Sequence, residues 1–287
     1  MPLDGWVLAA IALKTFGYAA ALLAMGGALF ALVFGREVRT LDLRPLLLRL
    51  TCAAALIGLA VIASRVGLRA ARISGVGTEG ALDPLMLSIV WDSPLGTAGA
   101  WRIAGFLIVL TLPLPRIGPA VAAVGAACLA VSFSQVGHAT GEPHALLAGL
   151  VVLHTLAAAF WVGALAPLHR AAIPEGADLL HRFGTLASFA VAVLAAAGLV
   201  FGWLMTGSLT ALFATPYGLT LVLKIVLVTG LLGLAALNRF RLVPALASGA
   251  PLAASALRRS IVLEMALVTA ILLVTAALTT ATVPPAR

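Results

Sequence analysis

Eight apolar stretches, each seventeen residues or longer, run at 6–34, 46–64, 99–115, 117–134, 146–168, 183–206, 217–237 and 260–280. About 20 apolar residues in a helix cross a ~30 Å hydrocarbon core, and in lipid only helices or closed barrels satisfy their own backbone. The pattern predicts an all-α integral membrane protein with eight transmembrane helices. The charged fraction agrees, at 10% of the chain against roughly a quarter in soluble domains. The first stretch begins Met-Pro-Leu-Asp without a basic n-region and outruns a signal-peptide core, so a retained span is expected.

The net charge of +8 does not point to nucleic acid, because the arginines are sorted by side. Arg36, Arg44, Arg116, Arg182, Arg239 and Arg258 are among those on one side of an eight-span arrangement. Arg65, Arg69, Arg72 and Arg287 lie on the other. The positive-inside rule then puts both termini outside the cytoplasm, with the Arg65/Arg69/Arg72 cluster as its exception. Cys52 and Cys128 fall in different spans at different depths, so no disulfide is expected; they read as buried small hydrophobes, with soft metal ligation as the sharper alternative.

The longest connection, 65–98, reads as an outside segment carrying one short interfacial helix over Leu85–Trp91. Inside it lies one copy of a duplicated string. Leu87–Gly96 is LSIVWDSPLG and Leu209–Gly218 is LTALFATPYG, and the register carries Arg102 onto Lys224, each eight residues after its proline. The expectation is a parallel 4+4 internal repeat within one polytopic domain spanning 1–287, with halves 1–134 and 135–287.

Ionisable groups within spans are costly and usually face a cavity or partner. Lys14, Arg102, His154 and Lys224 each lie roughly 12–15 Å below an outer helix start at 1.5 Å per residue. They are expected to form one polar layer in the outer leaflet. Glu264 is the counterpart on the inner side, expected near its span's start and paired structurally with the Asn238-Arg239 corner. The loop before the fifth stretch holds His138 and His144 around Gly and Pro, and both imidazoles can lean over the bundle mouth. Neutral imidazole suits copper, zinc or haem iron, and Met205, near the outer end of the sixth stretch, offers a thioether. His138, His144, His154 and Met205 are therefore the candidate metal ligands. No P-loop, HExxH, nucleophile elbow or paired-cysteine motif is present, and enzymatic activity is not expected.

Several strings, in order, resemble the copper resistance protein D (CopD) family of bacterial inner-membrane proteins. They are SQVGHA at 134–139, LHTLAAAFWVGAL at 153–165, TPYGLTLVLKIVLV at 215–228, LAALNRFRLVPAL at 234–246 and LRRSIVLEMAL at 257–267. Over 1–130 the likeness is weaker, carried by LDPLMLSIVWDSPLG and Trp101-Arg102. The resemblance implies an eight-span protein of the bacterial inner membrane that handles copper, importing it from a separate periplasmic carrier of the CopC type. It carries ligand roles to His138 and His154, with His144 as a third candidate, and places the family's recurrent Lys and Glu on Lys224 and Glu264. A second reading uses the buried cations directly: a b-type haem with His154 as axial ligand, and His138 as a possible second. Arg102, Lys14 or Lys224 would then meet its propionates in an electron-transfer or metal-reductase protein.

Overall fold

A computed structural model describes residues 4–137, 143–206 and 208–282, and among these every regular element is helical. The chain runs through α1 (Gly5–Val33), α2 (Gly35–Thr40), α3 (Arg44–Ser74), α4 (Pro84–Trp91), α5 (Pro94–Val109) and α6 (Gly118–Ser134). It continues through α7 (His144–Arg170), α8 (Ala177–Thr206), α9 (Leu209–Ala214), α10 (Pro216–Leu237), α11 (Val243–Ala247) and α12 (Ala253–Ala281). Six are long and apolar enough to cross a membrane: α1, α3, α7, α8, α10 with its continuation, and α12. The third and fourth stretches form the shorter apolar helices α5 and α6. Large apolar side chains such as Phe16, Leu56, Phe189, Leu199 and Val226 are exposed, as expected of a surface facing lipid.

Two of the boundaries that differ from the sequence expectation bear on the site. The second span continues ten residues past 64, because Arg65, Arg69 and Arg72 ride on α3 instead of starting a loop. Arginine is a good helix former, and the helix stops only at Gly75, which adopts φ +72°. The third helix starts at Pro94, before position 99, where Ser93 Oγ accepts the Leu95 N–H and proline takes the first turn.

The same entry is built twice. Asp83 caps α4 and Ser208 caps α9; after each short helix a second cap, Ser93 or Thr215, starts the next one with Pro94 or Pro216 at its head. Gly96 and Gly218 sit where a Cβ would strike the preceding short helix, on the Trp91 carbonyl and on the Ala211 and Leu212 carbonyls. These two glycines let each short helix fold tightly onto the helix that follows.

At the centre, α1 packs against α3, α6, α7 and α12, and its residues from Ala20 to Ala31 are largely buried. α1 and α7 approach most closely at Gly26 and Gly163, small residues where two backbones meet. Near the end of α1, Phe30, Phe34, Phe160 and Phe183 bring α1, α7 and α8 together, with ring centroids 4.9–6.3 Å apart. Arg182 lies over Phe34 at 5.7 Å and pairs with Glu37. Cys52 and Cys128 are free.

Candidate functional site

His154 lies on α7, ten residues and hence about 15 Å beyond the helix start at His144. Its ring packs against α8 at Gly198, where an added Cβ would lie 3.7 Å from Cε1 and 3.9 Å from Nδ1. The Nδ1 atom is buried and faces the Leu194 backbone without forming a hydrogen bond of good geometry. Lys224 of α10 is the charged group that acts on this imidazole, and among the described residues no hydrogen bond or ion pair engages its ammonium. A buried imidazole nitrogen normally finds a partner, so one in a helix seam without a well-formed hydrogen bond can, as the unprotonated nitrogen, offer its lone pair to a ligand.

Lys14 and Arg102 belong to a different grouping. Lys14 Nζ donates to the Thr279 carbonyl (2.7 Å) and Oγ1 (3.2 Å) on α12. Arg102 is buried on α5; its Nε donates to Ser132 Oγ at 3.1 Å, and its guanidinium lies 4.9 Å from the Phe133 ring centroid. The charges of Lys14, Arg65 and Arg102 act on one another. Thus Lys14 and Arg102 share a neighbourhood with α3, whereas the charge of Lys224 acts on His154. Arg65 was not among the expected site residues, because the apolar stretch stops at 64; its i, i+4, i+7 spacing with Arg69 and Arg72 was the available signal.

Glu264 is buried eleven residues into α12, deeper than the sequence reading placed it because the helix starts at Ala253 instead of 260. Asn238 Nδ2 donates to Oε1 at 2.6 Å, and Trp161 Nε1 donates to Oε2 at 3.3 Å. Arg239 does not join them. Successive side chains diverge around a helix, and in the π-helical turn Asn238–Leu242 the Arg239 side chain reaches α8 instead, donating to the Gly184 carbonyl and Ser188 Oγ. Trp161 is the partner the sequence reading missed, since indole in an apolar helix signals packing before hydrogen bonding. Glu264→Leu should destabilise the protein by about 1–3 kcal/mol, because the buried Trp161 and Asn238 donors lose their acceptor. Trp161→Phe should cost less, since Asn238 remains bonded. Reversible unfolding in detergent checks this order, and equal losses from both would contradict it.

His144 is exposed at the head of α7. α7 runs unbroken from His144 to Arg170, so His144 and His154 cannot share one coordination sphere on that helix. Met205 belongs to the last turn of α8, seven residues after Gly198. His138 lies outside the described residues. Among the described residues no group of three or more His, Cys, Asp or Glu side chains converges as a metal site.

Long apolar helices with imidazole, ammonium, guanidinium and carboxylate groups in their seams define a multi-pass membrane protein. A family model described as copper resistance protein D-like, N-terminal domain matches residues 3–146, and one described as copper resistance protein D matches 177–278. The chain belongs to the copper resistance protein D family, and with it to copper-resistance membrane proteins. Residues 147–176, which include His154, fall between the two matches. Comparison with curated proteins and with solved structures gives no match.

Proposed function

We propose that this chain is a copper transport or tolerance protein of the bacterial inner membrane, receiving copper from the periplasmic side at His154 for transfer across the bilayer. The carrying observation is the buried Nδ1 of His154, without a well-formed hydrogen bond in a seam between α7 and α8. In this reading all eight apolar helices span the membrane, with both termini periplasmic. The twice-built capped entry before α5 and α10 supports a parallel repeat with halves 1–134 and 135–287.

The helix positions favour a path over a single closed cage. His144 stands at the mouth, and Met205 is about 10 Å along α8 from the level of Gly198. Copper delivered by a separate CopC-type carrier would meet His138, His144 and Met205 first and His154 deeper. Lys224 beside His154 opposes a resident cation, since like charges at close range in low dielectric repel by kcal/mol-scale amounts. It thereby favours passage over storage.

Metal analysis and an absorption spectrum of the purified full-length protein test this proposal. The expected result is bound copper with no Soret band. A Soret band without copper would overturn it in favour of the haem b alternative, with His154 as axial ligand.

A further inference from the structure

The arginines that break the charge rule are gathered into one cavity. Arg65, Arg69 and Arg72 occupy one face of α3 at i, i+4 and i+7. With Lys14 of α1 they line a cavity of about 520 Å³, closed by the Ser93–Leu95 start of α5 and by Thr279 and Thr280 of α12. Four cationic side chains thus face one space, and no carboxylate lines it. Among the described residues the ion pair found is Arg182–Glu37, which involves none of these four. The Thr280 hydroxyl, in the same wall, is buried without a hydrogen-bond partner.

Such an arrangement is unfavourable without an anion. Like charges gathered around one small space repel, and positive-inside sorting selects against arginine at this end. The volume falls within the ~300–1,000 Å³ usual for small-molecule sites. Guanidinium forks match phosphate oxygens bidentately, and an ammonium supplies a point charge beside them.

We propose that this cavity binds a phosphate-bearing anion, either free phosphate or the headgroup of an anionic phospholipid, held by Arg65, Arg69, Arg72 and Lys14 with the Thr280 hydroxyl as a further donor. The site is separate from the His154 seam, and a four-cation wall excludes a bare copper ion. Binding here clamps α1, α3 and α12 together, so it stabilises the fold by mass action.

The test is thermal unfolding of the full-length protein in detergent, followed by tryptophan fluorescence, in two arms. One titrates sodium phosphate against sodium chloride at equal ionic strength. The other titrates phosphatidylglycerol against phosphatidylcholine in mixed micelles. A saturable rise in melting temperature is expected in at least one arm: a phosphate response identifies the free anion, and a phosphatidylglycerol response the headgroup. The double variant Arg65→Gln/Arg72→Gln should raise the half-saturating concentration about tenfold or more. Arg36→Gln/Arg39→Gln, outside the cavity, should leave it unchanged. Should the first variant not fold, Arg69→Gln at its exposed position serves in its place, with a weakening of about threefold or more. No response above control in either arm overturns the proposal, as does a cavity variant that responds like the wild type.

Discussion

Replacing His154 with alanine should reduce copper bound by the purified protein, and copper accumulation or tolerance in cells, far more than replacing His181. Losing one ligand of a soft metal site costs about tenfold or more in affinity, each tenfold step being ~1.4 kcal/mol. His181 is the matched control: exposed near the start of α8, seventeen residues and hence roughly 25 Å along the helix from Gly198. Alanine at 154 also removes ring volume from the α7–α8 seam, so a packing defect must be separated from ligand loss. His154→Phe does this, because it keeps a ring beside Gly198 and removes both nitrogens. Copper binding should fall in the Phe variant as in the Ala variant, with the melting temperature nearer wild type. Equal behaviour of the His154 and His181 variants would remove the basis for a metal path through this seam.

Gly163→Ala should be the most damaging single-methyl change in the bundle, and the same substitution at Gly233 should be harmless. A Cβ on Gly163 would lie against the Gly26 backbone; one on Gly26 would lie 2.7 Å from the Gly163 Cα and 2.8 Å from its N. Neither obstacle is a flexible side chain, so the α1–α7 crossing itself must open. Overpacking at such a contact costs about 1–3 kcal/mol or more, here on the helix with most partners. Gly233 is exposed on α10 with nothing within 4 Å of an added Cβ. Alanine there should be neutral or stabilising by roughly 0.5–1 kcal/mol, through its better helix propensity. Unfolding of the two variants side by side, in one detergent, checks the sign as well as the size. A Gly163→Ala protein as stable as Gly233→Ala would mean that α1 and α7 do not cross there.

The family match adds a point about the two halves. The resemblance in the sequence was carried mainly by strings after residue 134, yet the N-terminal family model covers 3–146. In the first half, small residues such as Gly26, Gly27 and Gly58 sit at close packing contacts and form no conspicuous string. Within the second match, residues 177–278, rarer residue types such as Lys224, Asn238 and Glu264 stand out from an apolar background.

How much of the site could be read beforehand varied with the kind of residue. Lys14, Arg102, His154 and Lys224 stood out as ionisable groups in apolar stretches. Glu264 and Asn238 were expected as neighbours and are hydrogen-bonded, but Trp161 joins them and Arg239 turns away. Arg65 lies just past the apolar stretch that ends at 64, so hydropathy places it in a loop, whereas α3 carries it into the space beside Lys14.

Hydropathy alone determined that this chain is a bundle of apolar helices, and proline, serine and threonine at 93–94 and 215–216 determined where two of them start. Those are local properties: a segment's solvent preference and its first-turn hydrogen bonds depend on its own residues. Tertiary structure decided which side chains meet, because helix rotation and crossing distance are set by packing between segments distant in sequence. Only the packed bundle leaves an imidazole nitrogen without a well-formed hydrogen bond beside Gly198, brings Trp161 to Glu264, and collects four cations from α1 and α3 around one cavity.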